Sequence, residues 1–304
     1  MFNEIKVYLD AMTLPTTISI SNFEELQQNI SILDSKKTQQ GKYILDLSGY
    51  VNFVRPLFIV TIAQFVRYYR ALGFNFIDIK LDDDATNKSS SYLRSIDFEK
   101  RFHNNFEASP EFNCPDSSLP ITTVLQEEIP NKKIKIVKFL QDKGIEKDFT
   151  SIEVCLDEIL NNCFDHADSK TGVVAHAQYL RTKKSIWLAI CDTGIGLPNC
   201  VNNYMQAQYS RKFTSEEAIN WAFTNTNTTK STPRNRGLGL NNLLDQTNYH
   251  EGEFRMITYD KWVLNSPKIK LQMRDTKYFF GTAIEIEIKL DNLNELEFSD
   301  FEYF

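Results

Sequence analysis

The sequence predicts an α/β (α+β) protein built from two units. Strand-like and helix-like segments alternate between Ile5 and Leu81. The second half opens with an amphipathic helix followed by two apolar strand runs. Glycine is scarce, 11 in 304 residues, and four of them form the Gly-x-Gly pairs Gly194/Gly196 and Gly237/Gly239. Glycines placed this sparingly mark points where backbone must pass close to something.

In the first unit, residues 1–82, β-rich pieces lie at Ile5–Leu9 and Thr16–Ile20. Ser21 with Glu24 three residues on reads as a capping box opening a helix through Leu33. Tyr43–Leu47 is a buried-strand run, and Pro56 suits the first turn of a helix that ends at Gly73. Phe74–Lys80 is the next strand. Strand, helix and strand within about thirty residues imply a parallel pair joined by a crossover.

Residues 83–120 read as a linker: a charged, Ser/Asn/Thr-rich loop over Asp82–Ser91, a short helix near Tyr92–His103, then prolines. The second unit, 121–290, begins with a helix near Lys132–Asp142. Thr150 and Glu153 suggest a second capping box, and Ile152, Cys155, Leu156, Ile159, Leu160, Cys163, Phe164 and Ala167 trace one apolar helix face. Strands follow at Gly172–Leu180 and Ser185–Cys191, then a long loop region from Asp192 to Arg236, a helix from about Leu238, and β-like runs at Glu253–Tyr259, Lys268–Met273 and Thr282–Leu290. The tail, 291–304, is acidic and aromatic.

Composition narrows the function. The net charge is −6, with 34 basic and 40 acidic side chains, so no general basic field grips nucleic acid. The most apolar run, Leu57–Val66, is half of the ~20 residues a membrane span needs, and Met1–Asp10 lacks the apolar core of a secretory signal. Five cysteines form no C-x-x-C pair, which fits a reducing, cytoplasmic setting without structural zinc.

Four pieces carry chemistry. Glu158, Asn162 and His166 recur every fourth residue, each turned ~40° from the last, and form a polar stripe on one helix. A carboxylate there can act as a base, and an amide oxygen can ligate Mg²⁺, which keeps most of its waters. By itself the stripe is equally a solvated face. Asp192-Thr-Gly194-Ile-Gly196 follows an apolar strand and sets a carboxylate at its tip, able to accept from an exocyclic amine. Arg236-Gly237-Leu238-Gly239 runs from a polar loop into a helix, where backbone N–H groups can face phosphate. Gly281-Thr282 enters the last strand. No Gly-x₄-Gly-Lys-Ser/Thr phosphate loop and no kinase Asp-Phe-Gly motif is present.

The order of these pieces over about residues 120–290 resembles the GHKL ATPase superfamily, which includes gyrase, chaperone ATPases and histidine kinases. The run from Glu158 to His166 looks most like anti-sigma-factor-like serine kinases. The resemblance implies a two-layer α/β sandwich of the Bergerat type that binds ATP and Mg²⁺. It implies Asn162 as the Mg²⁺ ligand, Glu158 as the general base, and His166 near the phosphates. It implies Asp192 on the adenine amine with Gly194 and Gly196 shaping that pocket, Arg236, Gly237 and Gly239 around the phosphates, and Thr282 closing the adenine side. Residues Pro198–Asn235 would then be a lid.

Residues 5–81 are similar to a STAS-type domain, the fold of anti-sigma-factor antagonists, through the strand ending Asp46-Leu-Ser48-Gly and the helix after it. Signalling members carry a phosphorylatable hydroxyl at the start of that helix. Here the stretch reads Asn52-Phe-Val-Arg55-Pro56-Leu, with no hydroxyl before Thr61. None of the four histidines sits on a dimerising hairpin, which argues against a histidine kinase. The leading expectation is a cytoplasmic Mg²⁺-ATP-binding regulatory protein that hydrolyses ATP slowly and gates a protein partner, with no nucleic acid or membrane partner. The alternatives are a protein serine/threonine kinase acting on a separate STAS-like protein, and an interaction module with a vestigial site.

Overall fold

The computed structural model describes residues 14–36, 41–107, 109, 111–165, 169, 171–224 and 239–296. The expected strand at Ile5–Leu9 and the 297–304 end of the tail lie outside them.

The first unit is a parallel three-stranded sheet, order β1 (Thr16–Ser19), β2 (Lys42–Asp46), β3 (Asn75–Lys80). The expected parallel pair is present, joined by helix α2 (Pro56–Ala71). Helix α1 (Phe23–Asp34) starts one residue later than the sequence suggests. Asn22 is the N-cap and takes the Glu25 N–H at 2.9 Å, while Glu25 reaches back to the Ser21 N–H at 2.7 Å. Asn is at least as good an acceptor there as Ser, so the cap moves by one position, while the Glu25 carboxylate closes on Ser21 and not on the cap residue's own N–H.

The stretch read as a loop with one short helix holds two helices, α3 (Lys88–Ser95) and α4 (Phe98–His103). Asn87 Oδ1 accepts from the Ser89 and Ser90 N–H groups at 3.0 and 3.2 Å, and this cap turns a polar run into a helix anchored by buried Leu93. Within the proline-bearing segment, Ser118–Val124 forms a strand, β4, that the sequence reading missed. Pro120 is tolerated because β4 is an edge strand whose register slips between Leu119 and Thr122.

The second sheet is antiparallel, order β4, β5 (Val173–Leu180), β6 (Ser185–Cys191), β8 (Ile269–Lys289), β7 (Phe254–Ser266). Runs expected at Lys268–Met273 and Thr282–Leu290 are one continuous strand, because pairing with β7 persists through the charged stretch between them. Residues alternate between two cores. Val173, Ala175, Leu188, Ile190 and Ile286 face helices α5 (Ile129–Lys143), α6 (Thr150–Asp165) and α9 (Gly239–Tyr249). Val174, Ala189, Cys191 and Ala283 face the other way and share one core with α2 and the parallel sheet. Those small side chains let α2 lie close to the strands, and thirteen of its sixteen residues are buried. The layers therefore run small sheet, α1 and α2, large sheet, α5 with α6 and α9.

Helices α7 (Leu197–Tyr209) and α8 (Ser215–Ala222) occupy much of the region expected as loop, and pack on each other through Val201, Met205 and Ala218. A Thr214/Glu217 capping box starts α8. Among the described residues, no helix is long and apolar enough to cross a membrane. The five cysteines are all described, and none is in a disulfide.

Candidate functional site

The site is built where β6 ends. Apolar pairing with β5 and β8 carries the chain to Cys191, opposite Ala283, and the next residue is Asp192. Its backbone N–H continues the ladder to the Thr282 carbonyl at 2.9 Å. Its side chain turns inward, only 4% exposed. Oδ1 accepts the Gly194 N–H at 2.7 Å and the Thr282 N–H at 3.2 Å. Burial pushes the carboxyl up to about 6, against those two N–H groups and the Cys163 thiol, which also hydrogen-bonds it and holds it down.

Two glycines make room for this turn. Gly281 has φ +69°, and a Cβ there would strike the Asp192 carbonyl oxygen and lie 2.7 Å from Oδ1. Gly196 has φ +80° and ends the turn as the N-cap of α7. The first N–H groups of α7 need partners, and the Thr258 hydroxyl of β7 takes that of Leu197 at 2.9 Å. Thr258 also lies 2.9 Å from the Thr282 hydroxyl. Thr282 is half-buried beside Asp192.

Helix α6 meets this turn through Cys163, whose thiol is buried and pushed upward by that burial and by Asp192. Its neighbour Asn162 is half-buried, and Glu158 lies one helical turn before Asn162 on the same helix. Asn162, Asp192, Gly194, Gly196 and Thr282 thus sit on elements joined at one place. Gly239 is the first residue of α9, which packs along α6. His166, Arg236 and Gly237 lie outside the described residues. Among the described residues, no three His, Cys, Asp or Glu side chains are gathered as metal ligands. A site for Mg²⁺ would rest on the Asn162 amide oxygen together with ligand oxygens.

Several contributors were not read from the sequence. Thr258 faces Thr282 only through the β7–β8 register, and Cys163 looked like one more apolar position. A hydroxyl cluster flanks the turn: Thr193 Oγ1 lies 3.0 Å from the Ser169 hydroxyl and 2.8 Å from the Thr171 hydroxyl. The alternation that sends Val173 and Ala175 to one face sends His176 to the other, where burial lowers its pKa to about 3 and keeps the ring neutral.

Fold and site together define a mixed α/β protein with a buried strand-end carboxylate in contact with helix α6 through Cys163. No protein-family model matches the chain, and no curated protein matches it in sequence.

Proposed function

We propose that the chain binds Mg²⁺-ATP between α6 and the turn at Asp192, and that nucleotide occupancy controls its binding to a protein partner. The observation that carries this reading is Asp192 itself. A carboxylate buried at a strand end, with Oδ1 held by two backbone N–H groups, is fixed in direction and suited to accept from the exocyclic amine of adenine. Turns held open by Gly196 and Gly281 keep side chains from filling that corner.

The residues present suit the cofactor. Asn162 offers a neutral oxygen for a hard cation, and Glu158, one helical turn earlier on α6, would serve as general base. Mg²⁺ would neutralise phosphate charge there. The protein partner would read the state of the segment 198–235, of which 225–235 lie outside the described residues. The GHKL resemblance supports the same assignment, with the first unit as its STAS-like companion.

The test is binding and turnover of radiolabelled ATP with Mg²⁺ by wild type, Asp192→Asn and Glu158→Ala. The expected result is loss of binding in Asp192→Asn, and retained binding without turnover in Glu158→Ala. A wild type that binds no ATP refutes the reading. Label that appears on a separate protein in place of free phosphate would redirect it to a serine/threonine kinase.

A further inference from the structure

Gln64 is a polar residue in the middle of a mostly apolar helix, and it is completely buried. An amide in that position is tolerated only if its donors and acceptor are met. Here the large sheet meets them. Nε2 donates to the Gly172 carbonyl at 2.8 Å and to the Cys191 carbonyl at 2.9 Å, while Oε1 accepts from the Thr171 hydroxyl at 3.2 Å. One turn further along α2, Arg67 Nη2 donates to the Thr171 carbonyl at 2.9 Å.

These partners are not scattered. Cys191 immediately precedes Asp192. Thr171 bonds the hydroxyl of Thr193, which immediately follows Asp192. One side chain of the parallel unit therefore holds the backbone just before the strand-end carboxylate directly and reaches the Thr193 side chain just after it through the Thr171 hydroxyl, from the face of the sheet opposite α6.

We infer that Gln64 is a positioning residue for Asp192, through which the parallel unit sets the nucleobase selectivity of the site. This rests on the reading of Asp192 as the nucleobase acceptor. Gln64 touches no ligand; it fixes the direction of a group that does. The rival account is a buried amide that only stabilises the interface. That account predicts a lower melting temperature with no change in selectivity.

The experiment compares wild type, Gln64→Met, Thr171→Val and Ile62→Val. Met matches the length of Gln and removes its donors. Val at 171 removes one hydroxyl while preserving shape, and so serves if Gln64→Met does not fold. Ile62→Val shortens a buried apolar side chain of the same helix as a control for general loosening. Two quantities are read: the ratio of affinities for ATP and inosine triphosphate, which lacks the exocyclic amine, and the carboxyl titration of Asp192 by ¹³C NMR without nucleotide.

Gln64→Met is expected to reduce the ATP preference by about tenfold, the scale of one charge-assisted hydrogen bond. Its Asp192 midpoint should fall as the loosened turn admits water. Thr171→Val should move both in the same direction by less, and Ile62→Val should move neither. An unchanged ratio with an unmoved or raised midpoint overturns the inference, as does an equal effect in Ile62→Val. If wild type binds no nucleotide, the ATP reading fails alone, and the titration still decides whether Gln64 positions Asp192.

Discussion

Glu285 of β8 caps the first turn of α2: its Oε2 accepts the Leu57 N–H at 2.9 Å. Its Oε1 takes Arg55 Nε and Nη2 at 2.8 and 2.6 Å. Arg55 also reaches Glu253 and lies over the Trp187 ring, 3.7 Å from its centroid. A helix of the first unit thus has its N-terminus satisfied by a carboxylate of the second. Burial outweighs Arg55 and leaves the Glu285 carboxyl above the usual range.

Removing that cap tests whether the two units are one folding body. Glu285→Ala leaves the Leu57 N–H unpaired and Arg55 without its main partner. Arg55 is 22% exposed and partly rehydrates, so the expected loss is about 3 kcal/mol, at the lower end for a broken buried pair. Glu285→Gln keeps an acceptor for Leu57 and should cost less than half as much. Urea unfolding at pH 7 should show one transition with a lower midpoint and an unchanged slope. Two separate transitions in the wild type would show that the units unfold independently.

Gly281 and Gly252 separate a site effect from a stability effect. Both would place a new Cβ against a carbonyl oxygen, of Asp192 and of Glu287 respectively. Gly281→Ala also puts Ala at positive φ, so its cost should exceed about 1–2 kcal/mol. Both variants should melt early, and only Gly281→Ala should lose ATP affinity beyond its loss of folded protein. Equal affinity in the two folded variants would detach Gly281 from the site.

The β7–β8 hairpin runs past the sheet, and α1 holds the middle of β8. Gln27, buried on α1, donates to the Lys277 carbonyl and accepts the Thr276 hydroxyl at 2.7 Å. Gln27→Ala should lower amide protection in residues 269–279 by roughly tenfold, since a lost buried hydrogen bond is worth about 1–3 kcal/mol. Hydrogen exchange should leave β5 and β6 unchanged. Loss of protection throughout would mean that the hairpin is not a separate opening unit.

The legible part of this molecule is what local pattern encodes. The buried face of α6 follows from 3.6-residue spacing, and the turn at Asp192 from an apolar strand running into Asp-Thr-Gly-Ile-Gly. The parallel pair β2 and β3 follows from strand, helix and strand in close succession. What escaped depends on partners far along the chain. Gln64 reads as an accident in an apolar helix until Gly172 and Cys191, more than a hundred residues away, supply its acceptors. Pro120 argues against a strand unless that strand is known to lie at an edge. The charged middle of β8 looks like a break until β7 and α1 are seen to pair with it. Glu285 alternates like an ordinary surface residue, and only the packing of α2 shows that it faces a helix N-terminus.

Asp192 should set two pH dependences of opposite sense. Its carboxyl is raised from 3.8 to about 6 by burial, so folding favours its protonated form. That contribution is complete below about pH 4 and is lost as pH rises through 6. It amounts to about 3 kcal/mol as an order of magnitude. Asp192→Asn removes it, so the variant should match wild type near pH 4 and exceed its stability at pH 7, read as urea midpoints across the range. Nucleotide binding runs the other way. The ionised carboxylate is the better acceptor for the adenine amine, so ATP affinity should be level above about pH 7 and fall by up to about tenfold between pH 7 and 5. Calorimetry at several pH values would show it, and Asp192→Asn should bind no ATP at any of them. A variant more stable at neutral pH yet unable to bind is what a residue retained for ligand recognition produces. A wild type whose stability between pH 4 and 7 matches that of Asp192→Asn would mean that Asp192 titrates as an ordinary carboxylate, and the buried site would lose its main electrostatic support.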